Sequence, residues 1–226
     1  MKLITGDLSP YSAKIRMQIY VMGITDITFG LPSEFMTGKF SKISPIGRIP
    51  VLEVEDTIIP ESEIIAEYLD DLYPEKSMVG DTPMERAEVR IVSRIADNIF
   101  MSLSQLMTKT PNQGVLDLLL GQVKRGMGAL EQHIGTGDYA VGDKLTRADC
   151  TLVPALWMCQ NTVPRLGAEN PILKTTKVAE YWHKIQKNEF ADKIIEEMKR
   201  GMKARLDGTE AKMRAEALEK EKGSQS

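Results

Sequence analysis

The pattern of apolar positions changes once along the chain. Up to residue 74, apolar residues come in short runs broken by turn residues; beyond it they recur at helical spacing. Lys2-Leu3-Ile4-Thr5 reads as a strand and Gly6-Asp7-Leu8-Ser9 as a turn. Pro10 suits the first position of a helix, with Ser9 as its cap. That helix runs over Tyr11–Met22, with Ile15, Ile19 and Met22 at helical period. Strands follow at Ile27–Leu31, Val51–Val54 and Thr57–Ile59, with a loop before the third strand and the turn Glu55-Asp56 before the fourth. A helix over Ser62–Tyr73 ends because the residue before Pro74 disfavours helical backbone.

The order βαβ, then ββα, is that of a thioredoxin-like fold. Residues 75–82, lying between Pro74 and Pro83, hold Gly, Asp and Thr turn chemistry and read as a linker. Thr82-Pro83-Met84-Glu85 opens a helix with a cap, a proline and a first-turn acid. Helices are predicted at Pro83–Thr108, Asn112–Gly135, Arg147–Val163, Pro171–Asn188 and Phe190–Leu206, with no competing strand pattern. The fold class is thus α/β plus all-α: residues 1–74, a linker 75–82, a helical unit 83–206 and a charged tail 207–226. The tail segment Glu210–Lys222 is rich in Glu, Lys, Ala and Arg and reads as a solvated helix or a disordered tail.

Composition narrows the function classes. The hydrophobic share of 42% supports a core, and the net charge of −3 with mixed signs gives no basic footprint for nucleic acid. No apolar run approaches membrane-spanning length, and the first residues do not form a signal peptide. Cys150 and Cys159 fall on one predicted helix, roughly 13 Å apart along its axis at 1.5 Å per residue, too far to bond. Free thiols favour a reducing compartment, hence a cytoplasmic location. His133 and His183 stand outside any metal-ligand spacing, so no metal is expected.

The candidate chemistry lies in three motifs. Ser44-Pro45-Ile46-Gly47-Arg48-Ile49-Pro50-Val51-Leu52 ends in a proline that donates no hydrogen bond, leaving the backbone groups of Ile49 for an extended ligand. Glu61-Ser62 opens a helix whose free N–H groups favour a carboxylate, while Glu61 suits an ammonium group. Ser9-Pro10-Tyr11-Ser12 stands at the first helix. In that order and spacing these motifs closely resemble, over residues 1–74, the glutathione-binding half of the cytosolic glutathione transferases. S-P-Y-S-A-K-I-R, with Arg16, is similar to the serine-type signature of that family.

The resemblance implies that glutathione is the co-substrate, its γ-glutamyl end at Glu61 and Ser62, its cysteinyl backbone at Ile49 and Pro50, and its sulfur against Ser9. Ser9 takes the place of the family's catalytic residue and stabilises the thiolate without acting as a nucleophile; Ser12 is the alternative. Lys39, Lys42 or Arg48 is implied for the glycine carboxylate, with Lys39 taken first. Tyr11, Phe100, Met101, Ser104, Met107 and Trp157 border the pocket of a hydrophobic electrophile in relatives, with Met158 and Asn161 beside Trp157. Each also suits a plain core position. Asp97 is a candidate for the glutathione amino group across a homodimer interface on the 83–108 helix. Gly142-Asp143-Lys144-Leu145-Thr146-Arg147-Ala148-Asp149 resembles the family's buried helix-opening motif, with Asp149 serving folding through a capping box.

The implied activity is a detoxifying glutathione transferase. Glutathione-dependent isomerisation, lysis or dehalogenation share the thiolate and remain alternatives, though the Ser-Ser-Cys of the isomerase type is replaced by Ser9-Pro10-Tyr11. A non-catalytic binding module on the same fold is the rival of another class.

Overall fold

The computed structural model describes residues 1–108 and 112–223; for residues 106–108 it describes the backbone alone. The chain forms β1 (Lys2–Ile4), α1 (Pro10–Val21), β2 (Thr28–Gly30), α2 (Ser33–Thr37), β3 (Val51–Val54), β4 (Thr57–Pro60) and α3 (Ser62–Leu72). Helices follow: α4 (Pro83–Thr108), α5 (Gln113–His133), α6 (Arg147–Thr162), α7 (Lys177–Ile185), α8 (Glu189–Leu206) and α9 (Thr209–Gly223). The sheet has the order β2-β1-β3-β4, with β2 parallel to β1 and the other pairs antiparallel. This is a thioredoxin-like unit followed by a helical one.

The register has a consequence for the site. Ile4 pairs with Val51, and Val51 pairs with Pro60. The exit of β1, the start of β3 and the exit of β4 therefore lie in one row at one end of the sheet. Ser9, Ile49-Pro50 and Glu61-Ser62 follow, precede and follow those strands respectively.

Helix α1 packs on α3, α6 and α8. It is buried without interruption from Ser12 to Ile19, including Lys14, Arg16 and Gln18. One apolar cluster runs through Leu3, Ile15, Leu52 and Ile65 into Val92, Phe100, Leu152 and Ile194, so sheet and helical unit share a core. The capping box of α6 is formed: Asp149 accepts from the Thr146 amide at 2.8 Å. It also accepts from the Ala140 amide and the Tyr181 hydroxyl, which ties α6 to α7 and to the loop before it.

Two segments differ from the sequence expectation, and the tail takes the helical one of its two readings. The predicted loop before β3 contains α2 and a 3-10 turn at Lys39–Lys42, divided by Gly38 at φ +81°. Phe40 is buried there against Ile4 and Val51, a long-range contact that local spacing does not announce. The helix predicted at Pro171–Asn188 splits into a 3-10 turn at Pro171–Lys174 and α7. Glu131 of α5 receives the amides of Thr176, Lys177 and Val178, so a carboxylate distant in sequence caps α7 at that point. The tail is the helix α9, fully solvated on most of its length but packed against α2.

Candidate active site

Ser9 caps α1: its backbone is extended, and its hydroxyl oxygen accepts the Ser12 amide at 3.3 Å. A hydroxyl has one proton and two lone pairs. The cap uses a lone pair, and the proton has no acceptor among the described residues. Ser12, the alternative, is fully buried with no partner for its hydroxyl, so solvent and ligands do not reach it. Arg16 fixes the approach to Ser9 from below. Its guanidinium donates to the Thr5 hydroxyl and to the carbonyls of Gly6 and Asp7, while Glu197 of α8 holds its Nε at 2.7 Å.

The Ile49–Pro50 peptide is cis. It lies at the β3 end of the row described above, and Gly6 approaches Ile49 so closely that a Cβ there would stand 3.0 Å from its side chain. Glu61 has φ +68°, a left-handed conformation that is costly for a non-glycine residue. That conformation turns the chain from β4 into α3. Unlike α1, α5, α6 and α8, α3 has no side-chain cap. Its first amides are therefore donors at the positive end of a helix, suited to a carboxylate.

Tyr11 faces this end of the sheet from α1. Its ring meets Phe100 of α4 edge-on at 5.1 Å, and its hydroxyl donates to the Asp97 carbonyl at 3.4 Å. Burial, with the nearby Asp97 charge, pushes its pKa up to about 12. It stays protonated at any physiological pH. Arg48, Glu61 and Arg94 lie close enough to act on it electrostatically.

The electrophile residues do not all come together. Tyr11 and Phe100 touch, Phe100 being wholly buried; Met101 is exposed and Ser104 half-buried on α4. The side chain of Met107 lies outside the described residues. Trp157 is buried and lines a different depression with α8, whose walls include none of those four. Lys39 is ion-paired at 2.8 Å with Glu221 of α9. The Asp97 carboxylate is taken by Lys14 of its own chain at 3.1 Å, which accounts for it without a dimer partner.

Sequence reasoning missed the charged layer beneath the site. Lys14 and Arg147, each 1% exposed in its side chain, meet Glu63 and Asp70 of α3 and Asp97 of α4. Lys14 reaches Glu63 at 2.6 Å, and Arg147 reaches Asp70 at 3.2 Å and also pairs with Glu63. The available signal was Glu63 and Asp70, seven residues apart and thus on one helix face. Among the described residues no cluster of acidic, histidine or cysteine side chains is arranged to hold a metal ion, and no helix is long and apolar enough to cross a membrane.

Comparison with known proteins agrees with this geometry. Residues 3–77 match the family model for the glutathione S-transferase N-terminal domain, and residues 95–182 match that for the C-terminal domain. A stringent starvation protein A homolog from Coxiella burnetii is 26% identical over 76% of this chain and 79% of its own. The glutathione S-transferase-like protein FUS3 of Gibberella fujikuroi is 30% identical over 67% of this chain and 74% of its own. The crystal structure of a Methylobacterium radiotolerans glutathione S-transferase in complex with glutathione sulfonate superposes with a TM-score of 0.74, at 16% identity, over 86% of this chain and 93% of that one. With both of its halves matched by the family's two domain models, the chain belongs to the glutathione S-transferase family.

Proposed function

We propose that the protein is a serine-type glutathione transferase that activates the glutathione thiol for attack on a hydrophobic electrophile. The observation that carries the reading is the convergence of Ser9, Ile49-Pro50 and the uncapped start of α3 at one end of the sheet. The γ-glutamyl carboxylate takes the first amides of α3, with Ser62 beside them and Glu61 for the ammonium. The cysteinyl backbone pairs with Ile49. The sulfur meets the proton of the Ser9 hydroxyl.

The energetics close. A free thiol titrates near pH 8.5, so about two units of lowering need roughly 2.7 kcal/mol in favour of the anion. A hydrogen bond to a charged acceptor supplies about 1.5–3 kcal/mol, and the start of a helix about 0.3–1 kcal/mol. The thiolate sulfur then forms a bond to the electrophilic carbon as the leaving group departs or the double bond takes the electron pair. Tyr11 and Phe100 form one wall for the acceptor. A homodimer through α3 and α4 accords with Ile64, Met84 and Ile91, which stand exposed. Titration of the purified protein with glutathione, following thiolate absorbance against pH beside conjugation of a generic aryl halide, tests the reading. A lowered thiol pKa with turnover is expected; binding with an unshifted pKa and no turnover overturns it.

A second reading, a non-catalytic binding module, is favoured by one observation: the similarity to a stringent starvation protein A homolog. The same titration separates the two, since a module binds without turnover.

Lys39 gives a smaller test. If it serves the glycine carboxylate, Glu221 competes for it. Glu221→Gln is then expected to tighten glutathione binding by up to about fivefold, because an exposed pair is worth about 0.2–1 kcal/mol. Calorimetric titration checks this, and an unchanged affinity removes Lys39 from the site.

A further inference from the structure

Gly201 stands in the interior of α8, where glycine is disfavoured relative to alanine because it gives up more backbone freedom on folding. Its surroundings supply the reason for it. A Cβ at Gly201 would lie 2.6 Å from the backbone nitrogen of Leu8, 2.9 Å from the Leu8 Cβ and 3.0 Å from the Asp7 Cβ. At this point α8 is seated directly on the turn between β1 and α1, with no side chain of its own in between. Leu8 is the residue before Ser9, and its side chain is buried in the core that the two units share.

The same face of α8 holds the turn by two further contacts. Glu197, one helical turn earlier and buried, accepts from Arg16 Nε at 2.7 Å and from the Tyr20 hydroxyl at 2.7 Å. Arg16 passes that hold on, donating to the Gly6 carbonyl at 2.9 Å and to the Asp7 carbonyl at 3.1 Å. The Gly6 carbonyl in turn accepts the Ser9 amide at 3.2 Å. Arg200 pairs with Asp7 at 2.7 Å, an exposed contact of little weight. Positions 197, 200 and 201 fall at i, i+3 and i+4 and so share one helix face. Gly6, Asp7 and Leu8 are each fixed, directly or through Arg16, by a helix of the other unit.

We infer that Gly201 is a positioning residue for Ser9, with Glu197 as its partner: α8 sets the turn, and the turn sets where the Ser9 hydroxyl points. The inference rests on the reading of Ser9 as the group that stabilises the glutathione thiolate, and deepens it. A hydrogen bond to the sulfur depends steeply on distance and angle. The proposed peptide contacts at Ile49, Glu61 and Ser62 lie on other segments. A displaced turn therefore changes the acidity of the thiol more than the affinity for glutathione.

Gly201→Ala tests this, read by the pH–rate profile of aryl halide conjugation and by the thiolate absorbance of bound glutathione. The ascending limb is expected to move up by about one unit, so that kcat/KM at neutral pH falls about tenfold while glutathione affinity holds. The position of the limb is independent of how much enzyme is folded, so lost stability alone does not move it. In a Ser9→Ala background the same change should add no further shift, because the group through which it acts is gone. If Gly201→Ala does not fold, Glu197→Gln is read in the same way: it adds no bulk but takes from Arg16 the charge that holds its Nε. An unmoved limb in the variant so read, or an equal shift with and without Ser9, overturns the inference. Ser9→Ala alone separates the two levels. If it leaves the limb unmoved, the reading of Ser9 fails and this inference with it; if it moves the limb and Gly201→Ala does not, only the role of α8 fails.

Discussion

Arg147→Met is expected to lower the free energy of unfolding by about 3–5 kcal/mol, the range for removing one partner of a buried ion pair. The side chains have similar length, so the loss is of charge and hydrogen bonds more than of volume. Arg147 is 1% exposed and serves two carboxylates of α3, Glu63 and Asp70. Without it, Asp70 retains only the Met78 amide and local hydroxyl contacts, and Glu63 depends on Lys14 alone. Because α3 belongs to the sheet unit and Arg147 to α6, the lost contact also loosens the joint between the two. Urea unfolding checks this: the midpoint falls with the slope unchanged.

The deficit should depend on pH, and the sign follows from Asp70. Burial raises its pKa from 3.8 to about 6, against the lowering effect of the Met78 amide and Ser77. A carboxyl whose folded pKa exceeds its unfolded value favours folding most below the unfolded pKa, and that contribution is lost as pH rises through the folded pKa. Removing Arg147 raises the folded pKa further. The variant is therefore penalised most when Asp70 and Glu63 are both charged. The stability gap between wild type and Arg147→Met is expected to be largest at about pH 8 and to narrow toward about pH 5. A gap independent of pH would mean that Arg147 acts through packing alone.

Much of the fold was legible because its signals are local. The proline at position 10, the cap at Ser9, the Thr146–Asp149 box and the turn at Glu55-Asp56 each specify a boundary by neighbouring residues, and the structure has those boundaries. The break before α7 was not legible, because the carboxylate that makes it belongs to Glu131. Nor was Phe40, whose burial depends on the far ends of β1 and β3. Three motif positions of the site could be placed from sequence, since strand order and register bring them to one end of the sheet. The charged layer under them could not. Lys14, Arg147 and Asp97 come from three helices, and no local spacing announces that they meet. Trp157 shows another limit: the sequence allowed it a pocket or a core position, and only the packing of α6 beside α8 sets it apart from Tyr11 and Phe100.

Ser9→Ala is expected to reduce kcat/KM at neutral pH by about 10- to 150-fold, the loss of one hydrogen bond of about 1.5–3 kcal/mol to a charged acceptor. The ascending limb of the pH–rate profile should move up by about one to two units, toward the free thiol. Glutathione affinity should hold, because the proposed peptide contacts at Ile49, Ser62 and Glu61 are untouched by the change. Ser9 is also the cap of α1, and loss of a cap by alanine costs about 0.5–2 kcal/mol, so a fall in activity alone would be ambiguous. Glycine costs a helix start only a few tenths of a kcal/mol. Ser9→Gly should therefore keep stability near wild type and lose activity as alanine does. Ser9→Thr retains the hydroxyl and should restore the low-pH limb wherever its extra methyl fits beside Tyr11. The discriminating reading is the profile itself. An unchanged limb in both alanine and glycine variants would show that the α1 amides, not the Ser9 hydroxyl, hold the thiolate.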